Sequence, residues 1–308
     1  GKHMKKIVVI ILAVLVFVNI FAGSVQLNGR VEFNYTINPD FELVVSNWFP
    51  GDNAAYLVVT SGGTVLVVDV KYAAPNITSM YVNELFIPWK VNNNLTVFFG
   101  YSNVADYDSF MGSGGSFKWG YNGTGILWYK STLSFIYTFG GFMFDVGTNF
   151  GNPLTFALLM KTNNFYPLGL TLNVVGKADF SEGMVGARLT YPLRPFTLYL
   201  AGGYDYVNAT IKGLLFGLVG EVAGTSISAE LDLTNTITDP MEIKLAGDVN
   251  YKLEGYKVGV SGDYNFKTGD LSLEPYIATK LGNADGKLLV RFEEDGYKYT
   301  KFTVGFNF

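Results

Sequence analysis

Cysteine is absent from the 308 residues, and histidine occurs once, at His3. Without cysteine there is no disulfide framework, no thiolate metal site and no thiol nucleophile. Without a histidine beyond His3, Ser-His-Asp triads and His-based zinc centres are excluded. Carboxylate pairs such as Glu293/Glu294 and Asp106/Asp108 remain. Adjacent residues of a strand point to opposite faces, so Glu293 and Glu294 are a poor acid–base pair. The glycine-rich "GSGGSFKWG" lacks the Gly-Lys-Ser/Thr that cradles phosphate. No catalytic residue, metal or cofactor is predicted, and the chain is not read as an enzyme. Charge is also sparse, at 16% of residues against roughly 25% in soluble domains.

Long apolar runs are missing too, with one exception. Met4 opens "MKKIVVIILAVLVFVNIFAG", where two lysines precede the apolar stretch Ile7 to Val18 and small residues follow at Ala22 and Gly23. That stretch falls short of the roughly 20 residues a membrane-spanning helix needs. Residues 4–23 are therefore read as a cleaved signal peptide and residues 1–3 as a cloning remnant, leaving 24–308 as a single domain. Removing Lys2, Lys5 and Lys6 from the 22 basic residues leaves 19 against 26 acidic ones, a net of −7. A nucleic-acid partner, which needs a basic face, is not expected.

What the sequence has is alternation. "TSISAELDL" sets Ile227, Ala229, Leu231 and Leu233 against Ser226, Ser228, Glu230 and Asp232. "MEIKLAGDVNY", "YKVGVSGDYNF" and "VQLNGRVEFNY" repeat the pattern. A period of two over this length predicts strands. Turn chemistry separates them at Asn38-Pro39-Asp40, Pro50-Gly51-Asp52, Gly62-Gly63, Asp239-Pro240, Asp285-Gly286 and Asp295-Gly296. Such turns join antiparallel neighbours. The expectation is a meander of 16–20 strands, with 18 as the best count.

Alternation does not say which face is inside. Three features favour apolar residues outside. The strands have the 9–11 residues that cross a bilayer when tilted. Their polar faces carry Glu230, Asp232, Glu242, Lys244, Lys257 and Asp263, which a dry core rejects. Aromatics sit near strand ends, at Tyr35, Trp48, Tyr72, Trp89, Tyr191, Tyr251 and Tyr256, where girdles meet the membrane interface. An open edge in lipid would leave backbone groups unpaired, so the first strand must meet the last. The last strand, "YKYTKFTVGFNF", puts Phe302, Val304, Phe306 and Phe308 on the face expected to meet lipid.

A leader, a cysteine-free meander and a terminal strand ending in Phe308 together resemble the bacterial outer-membrane β-barrels, with a porin-like strand number and acidic interior. The resemblance implies an all-β, up-and-down transmembrane barrel, export to the outer membrane, and recognition of Phe302, Val304, Phe306 and Phe308 by the barrel-assembly machinery. It also implies homotrimers as a frequent state, and a loop folded into the lumen as a constriction. Asn103 to Gly125, with Asp106, Asp108 and Lys118, is the candidate for that loop, an external loop being the alternative. The expected function is passive diffusion of small polar solutes and ions. Expected pore-lining residues are Arg30, Glu32, Asp69, Lys71, Arg188, Glu230, Asp232, Lys244, Asp248, Asp263 and Arg291. The net charge points to a mild cation preference. Two alternatives stay open: a plugged structural or envelope-anchoring barrel, and a transporter of hydrophobic molecules. "YLVVT" and "TVLVVDV", apolar on both faces, hint at the latter.

Overall fold

A computed structural model describes residues 26–46, 55–61, 64–73, 76–102, 131–150, 153–162, 168–234 and 242–308. Residues 1–23, where a remnant and a leader are expected, lie outside them. The described residues form one sheet of 19 segments. These are β1 (Gln26–Ile37), β2 (Leu43–Ser46), β3 (Ala55–Ser61), β4 (Thr64–Ala73), β5 (Asn76–Lys90), β6 (Leu95–Ser102), β7 (Ser131–Phe139), β8 (Phe142–Asn149), β9 (Thr155–Thr162) and β10 (Gly169–Lys177). They continue as β11 (Gly183–Leu193), β12 (Phe196–Asp205), β13 (Thr210–Val222), β14 (Thr225–Thr234), β15 (Glu242–Leu253), β16 (Tyr256–Asn265), β17 (Leu271–Leu281), β18 (Ala284–Glu293) and β19 (Gly296–Asn307).

From β3 onward each segment pairs antiparallel with the next, and β19 pairs with β1, so the sheet closes. β2 and β3 both run antiparallel to β1, at Asn34–Ile37 and Gln26–Arg30. Both also border β4. They are two halves of one stave, and the barrel has 18 staves. Two expected turns are therefore corrected. β2 and β3 run in the same direction, since Asn34–Ile37 and Gln26–Arg30 of β1 pair antiparallel with one and the other; Pro50-Gly51-Asp52 itself lies outside the described residues. Asp285-Gly286 lies inside β18, where Arg30 holds Asp285 from the inner face. The reversal is at Gly282-Asn283, with Gly282 at φ 61°.

An even stave count puts both chain ends of the barrel at one end. Five connections there are two-residue turns, Gly140-Gly141, Arg194-Pro195, Ala223-Gly224, Glu254-Gly255 and Gly282-Asn283, beside the longer 91–94 and 163–168. The opposite end carries the longer connections 38–42, 178–182, 206–209 and 266–270, and it is where β6 leaves and β7 returns. Short turns mark the periplasmic side of transmembrane barrels. The two ends are called here the turn end and the loop end. Gly140 and Gly141 have φ of 55° and 86°, and Ala223 and Gly224 have 50° and 79°. Two left-handed residues in a row match the hairpin twist, but alanine reaches that region at a cost of about 1–2 kcal/mol.

The faces divide cleanly. On β12, Leu198, Leu200 and Tyr204 are exposed and Tyr199, Ala201 and Asp205 buried. On β19, Phe302, Phe306 and Phe308 are 45%, 48% and 60% exposed, whereas Lys301 is buried. Val304 shares the Phe302 face by register. Buried charge with exposed Leu, Phe and Val is the inverse of a soluble domain. A continuous outer band of this kind is stable only against lipid. Exposed Trp89, Phe139, Tyr191, Tyr251 and Tyr256 ring the turn end, and Tyr35, Phe180, Phe266 and Tyr297 ring the loop end. Trp48 lies outside the described residues, and Tyr72 is described only as a backbone position of β4. No helix of the described residues is long and apolar enough to cross a membrane, which says nothing of strands.

The closing seam is tied on both faces. The backbones of Gly29 and Phe308 exchange hydrogen bonds, Gly29 N–H to Phe308 O at 2.9 Å and Phe308 N–H to Gly29 O at 3.1 Å. The Phe308 ring lies over Gly29, so a Cβ there would meet its Cζ at 2.4 Å and Tyr56 O at 2.8 Å. Tyr35 packs on Phe302 with ring centroids 6.3 Å apart. Inside, Thr303 Oγ1 donates to Asn34 Oδ1 at 2.6 Å.

Two outcomes follow from turn and seam. Gly29→Val is expected to abolish the compact, heat-modifiable gel band of the folded barrel; a band at wild-type level would show that the Phe308 ring can leave without loss. Ala223→Asn, which tolerates the left-handed region, is expected to raise unfolding stability by about 1 kcal/mol, read as a higher urea midpoint.

Candidate functional site

The inner wall is the candidate site. It has two halves. On β8 to β14 the inward side chains include Asp145, Leu159, Val175, Tyr199, Leu215 and Asp232, all buried. Met184, Tyr199, Ala201 and Leu215 pack into one apolar cluster, and Ala157, Leu159 and Val175 into another. On β15 to β19 most inward residues are charged or hydroxylated and partly open to solvent, among them Asp248, Ser261, Asp263, Glu274, Lys287 and Arg291.

Long inward side chains on this wall reach across a whole strand. Arg30 of β1 passes over Gly305 of β19 to Asp285 of β18, with Nη1 and Nη2 donating to Oδ1 and Oδ2 at 2.7 and 2.8 Å. The same guanidinium donates to Glu32 Oε2 at 2.8 Å. A Cβ on Gly305 would meet Arg30 Nη2 at 2.2 Å. Tyr199 of β12 passes over Gly217 of β13 and donates to Glu230 Oε2 of β14 at 3.0 Å. A Cβ on Gly217 would sit 1.9 Å from its ring. Tyr276 of β17 passes over Gly259 of β16 and donates to Asp248 Oδ1 of β15 at 3.2 Å. In each case glycine removes the side chain that would block the path, which is what a close approach in a strand calls for. Arg188 lies over the Tyr199 ring, 5.4 Å from its centroid.

Towards the loop end the wall is laced with ion pairs. Arg291 donates to Glu274 at 2.6 Å and to Glu293 at 2.8 Å. Lys298 joins Glu293 at 3.4 Å and Asp295 at 2.6 Å. Ser272 donates to Asp263. All of these but Glu274 rim a cavity of about 440 Å³ whose other members include Lys244, Asp270 and Glu294.

The expected pore-lining residues are placed as follows. Arg30, Glu32, Lys244, Asp248, Asp263 and Arg291 share the inward face of β1 and of the charged half. Asp232 faces Lys244 across β14 and β15. Arg188, Glu230 and Asp232 point inward on the other half and are buried, Glu230 at 1% and Asp232 at 0% exposure. Asp69 stands on β4 opposite Tyr56 and Tyr81, and Lys71 is described only as a backbone position opposite Ser79. Asp106, Asp108 and Lys118 lie outside the described residues. On β3 and β4, Val59, Leu66 and Val68 form a buried apolar cluster with Leu57. The sequence reading missed Asp285, Glu274, Tyr199 and Tyr276. For Asp285, Tyr199 and Tyr276 the signal is a glycine at a polar-face position of a neighbouring strand, as Gly217 is in "LLFGLVG". No group of metal-ligating side chains occurs among the described residues.

No family model matches the chain, and no curated protein is similar to it in sequence. Solved structures are. A loop-deletion mutant of OmpT, an outer membrane protein of Vibrio cholerae, matches with a TM-score of 0.52 at 14% identity over 93% of this chain and all of the other. A mutant of the Rhodopseudomonas blastica porin matches at 0.57 and 11% identity over 92% of this chain and all of that one. Pseudomonas aeruginosa OpdL matches at 0.60 and 10% identity, covering 92% and 98%. OmpT has also been solved in a trimer form, at a TM-score of 0.50 with 13% identity, over 93% of this chain and 99% of that one. At these identities the likeness is one of fold: the chain has the closed β-barrel architecture of the bacterial porins.

The Arg30 fork makes the seam testable. Arg30→Met leaves Glu32 buried without its cation and frees Asp285, and is expected to cost about 1–2 kcal/mol after allowing for solvent at the half-exposed Asp285. The readout is the urea midpoint of refolded protein. An unchanged midpoint would mean the fork contributes nothing to closure.

Proposed function

We propose that the chain is an outer-membrane channel for passive diffusion of small polar solutes and ions. One observation carries this reading: a closed 18-stave barrel, apolar outside, has a charged and solvent-accessible wall inside, on β15 to β19. Barrels of 16–18 strands leave an aqueous bore. The reading includes outer-membrane location after removal of the leader. The assembly machinery would read the face of Phe302, Val304, Phe306 and Phe308. A trimeric state is supported by analogy with the OmpT trimer. Catalysis is not part of it, since no histidine or cysteine follows His3.

A mild cation preference belongs to the same proposal. At the loop end, Asp263, Asp270, Glu293, Glu294 and Asp295 outnumber Lys244, Arg291 and Lys298 around the cavity. Solutes entering there meet a net negative potential. Asp106, Asp108 and Lys118, in the connection between β6 and β7, would add to it if that loop enters the bore.

A second reading, the plugged structural barrel, is favoured by the burial of Asp145, Leu215, Glu230 and Asp232 on the other half of the wall. A freely watered lining would leave these groups accessible.

Single-channel recording of refolded, leader-free protein in a planar bilayer separates the two. Ohmic steps are expected, with a reversal potential in a salt gradient of the sign for cation preference. Silence from protein shown to be folded and inserted would overturn the channel reading and leave the plugged barrel. A zero or anion-favouring potential would remove the selectivity alone.

A further inference from the structure

The turn end of the charged half has the opposite sign. Lys252 of β15 stands directly across from Lys257 of β16. Both are on the inward face, in register with Asp248, Asn250 and Ser261. Directly opposed like charges are destabilising in a sheet. Lys280 of β17 comes down on the same face, and the three lysines line a cavity of about 530 Å³ with Glu221, Ser226 and Asn250. All three are exposed. Among the described residues none of the three makes an ion pair. The carboxylates within reach are engaged or outnumbered. Asp285, across from Lys280, has both oxygens on Arg30. Asp248 accepts from Tyr276 and Asn250. Glu221 and the turn residue Glu254 remain against the three lysines. Deeper in, Lys257 and Lys287 converge on the Tyr276 ring, with Nζ 5.9 and 4.5 Å from its centroid.

We propose that this vestibule is a binding site for a free, multiply charged oxyanion of the phosphate class. A cross-strand lysine pair costs stability when empty, and an anion between the two ammonium groups removes that cost. Flexible lysines with several donors each suit a tetrahedral oxyanion that approaches from solvent. The inward register of Lys252, Lys257 and Lys280 turns them away from lipid headgroups, so a soluble anion is the ligand. Binding at the rim does not require conduction, so the site stands apart from the channel reading. With the acidic loop end, it also makes the bore electrically polar along its axis.

The test is calorimetric titration of inorganic phosphate into refolded protein in a maltoside detergent, with chloride replacing phosphate to hold ionic strength constant. Saturable binding is expected, weakened about tenfold or more in the Lys252→Gln/Lys257→Gln double variant. Lys252→Arg/Lys257→Arg is expected to keep it. The glutamine variant should also show a higher urea midpoint, because the repulsion is gone. Should that variant not fold, Lys280→Gln serves in its place, with a several-fold loss expected. No saturable heat from the wild type, or equal affinity in the glutamine variants, would overturn the site. Repeating the titration in vesicles with and without anionic phospholipid distinguishes the sources of phosphate. Equal affinity supports a free anion, and competition by the anionic lipid would overturn that assignment. If phosphate binds while bilayers stay silent, the channel reading fails and this one holds.

Discussion

Every backbone amide in the apolar layer of a membrane must find a partner within the protein, since an unpaired group there costs several kcal/mol. That requirement explains the seam. β19 pairs with β1 along eight positions, from Arg30–Asn307 to Ile37–Thr300. The exchange of hydrogen bonds between Gly29 and Phe308 carries the pairing to the final residue. A terminal strand that frayed, as most chain ends do, would open the sheet edge to lipid. The aromatic face of the last strand and the bare Cα of Gly29 are two sides of the same constraint. One supplies lipid-facing bulk, and the other lets a ring lie flat over the joint.

Closure then dictates what the interior must be. With Leu, Phe and Val turned outward, the period of two forces the intervening residues inward. They are the polar ones, and a ring of charged groups in a confined space needs counterparts. The wall meets this need with side chains that skip a strand: Arg30 over Gly305, Tyr199 over Gly217, Tyr276 over Gly259. Each joins strands that share no backbone hydrogen bond. The other half of the wall, β8 to β14, packs small and aliphatic residues around a few charged ones and is buried. The barrel is thus two-sided within, and its charge is also divided between its ends.

Much of this was legible in the sequence because a strand's pattern is local. The alternation in "TSISAELDL" and "MEIKLAGDVNY" reproduces β14 and β15 with the expected faces, and the lipid-facing aromatics of the last strand stand where the pattern put them. What was not legible depends on partners distant in the chain. Pro50-Gly51-Asp52 has the composition of a reversal, yet β2 and β3 share β1, and only register reveals that. Asp285-Gly286 has the composition of a tight turn, yet Asp285 belongs to Arg30, 255 residues away. The burial of Glu230 and Asp232 could not be read from alternation, which distinguishes inside from outside but not wet from dry.

The strand-skipping side chains have a consequence for how this sequence can drift. Tyr199, Gly217 and Glu230 stand on three strands, and no two of them are neighbours in the chain. A bulky residue at Gly217 is admissible only once Tyr199 has shortened, and a shortened Tyr199 gives up its hydrogen bond to Glu230. The three positions are therefore inherited as a unit: substitutions accepted singly elsewhere on the wall must arrive here in a fixed order or together. Arg30, Gly305 and Asp285 form a second such unit, and Tyr276, Gly259 and Asp248 a third. A library that randomises one strand at a time will find large residues at these glycines costly, whereas one that varies all three positions at once will find more combinations tolerated.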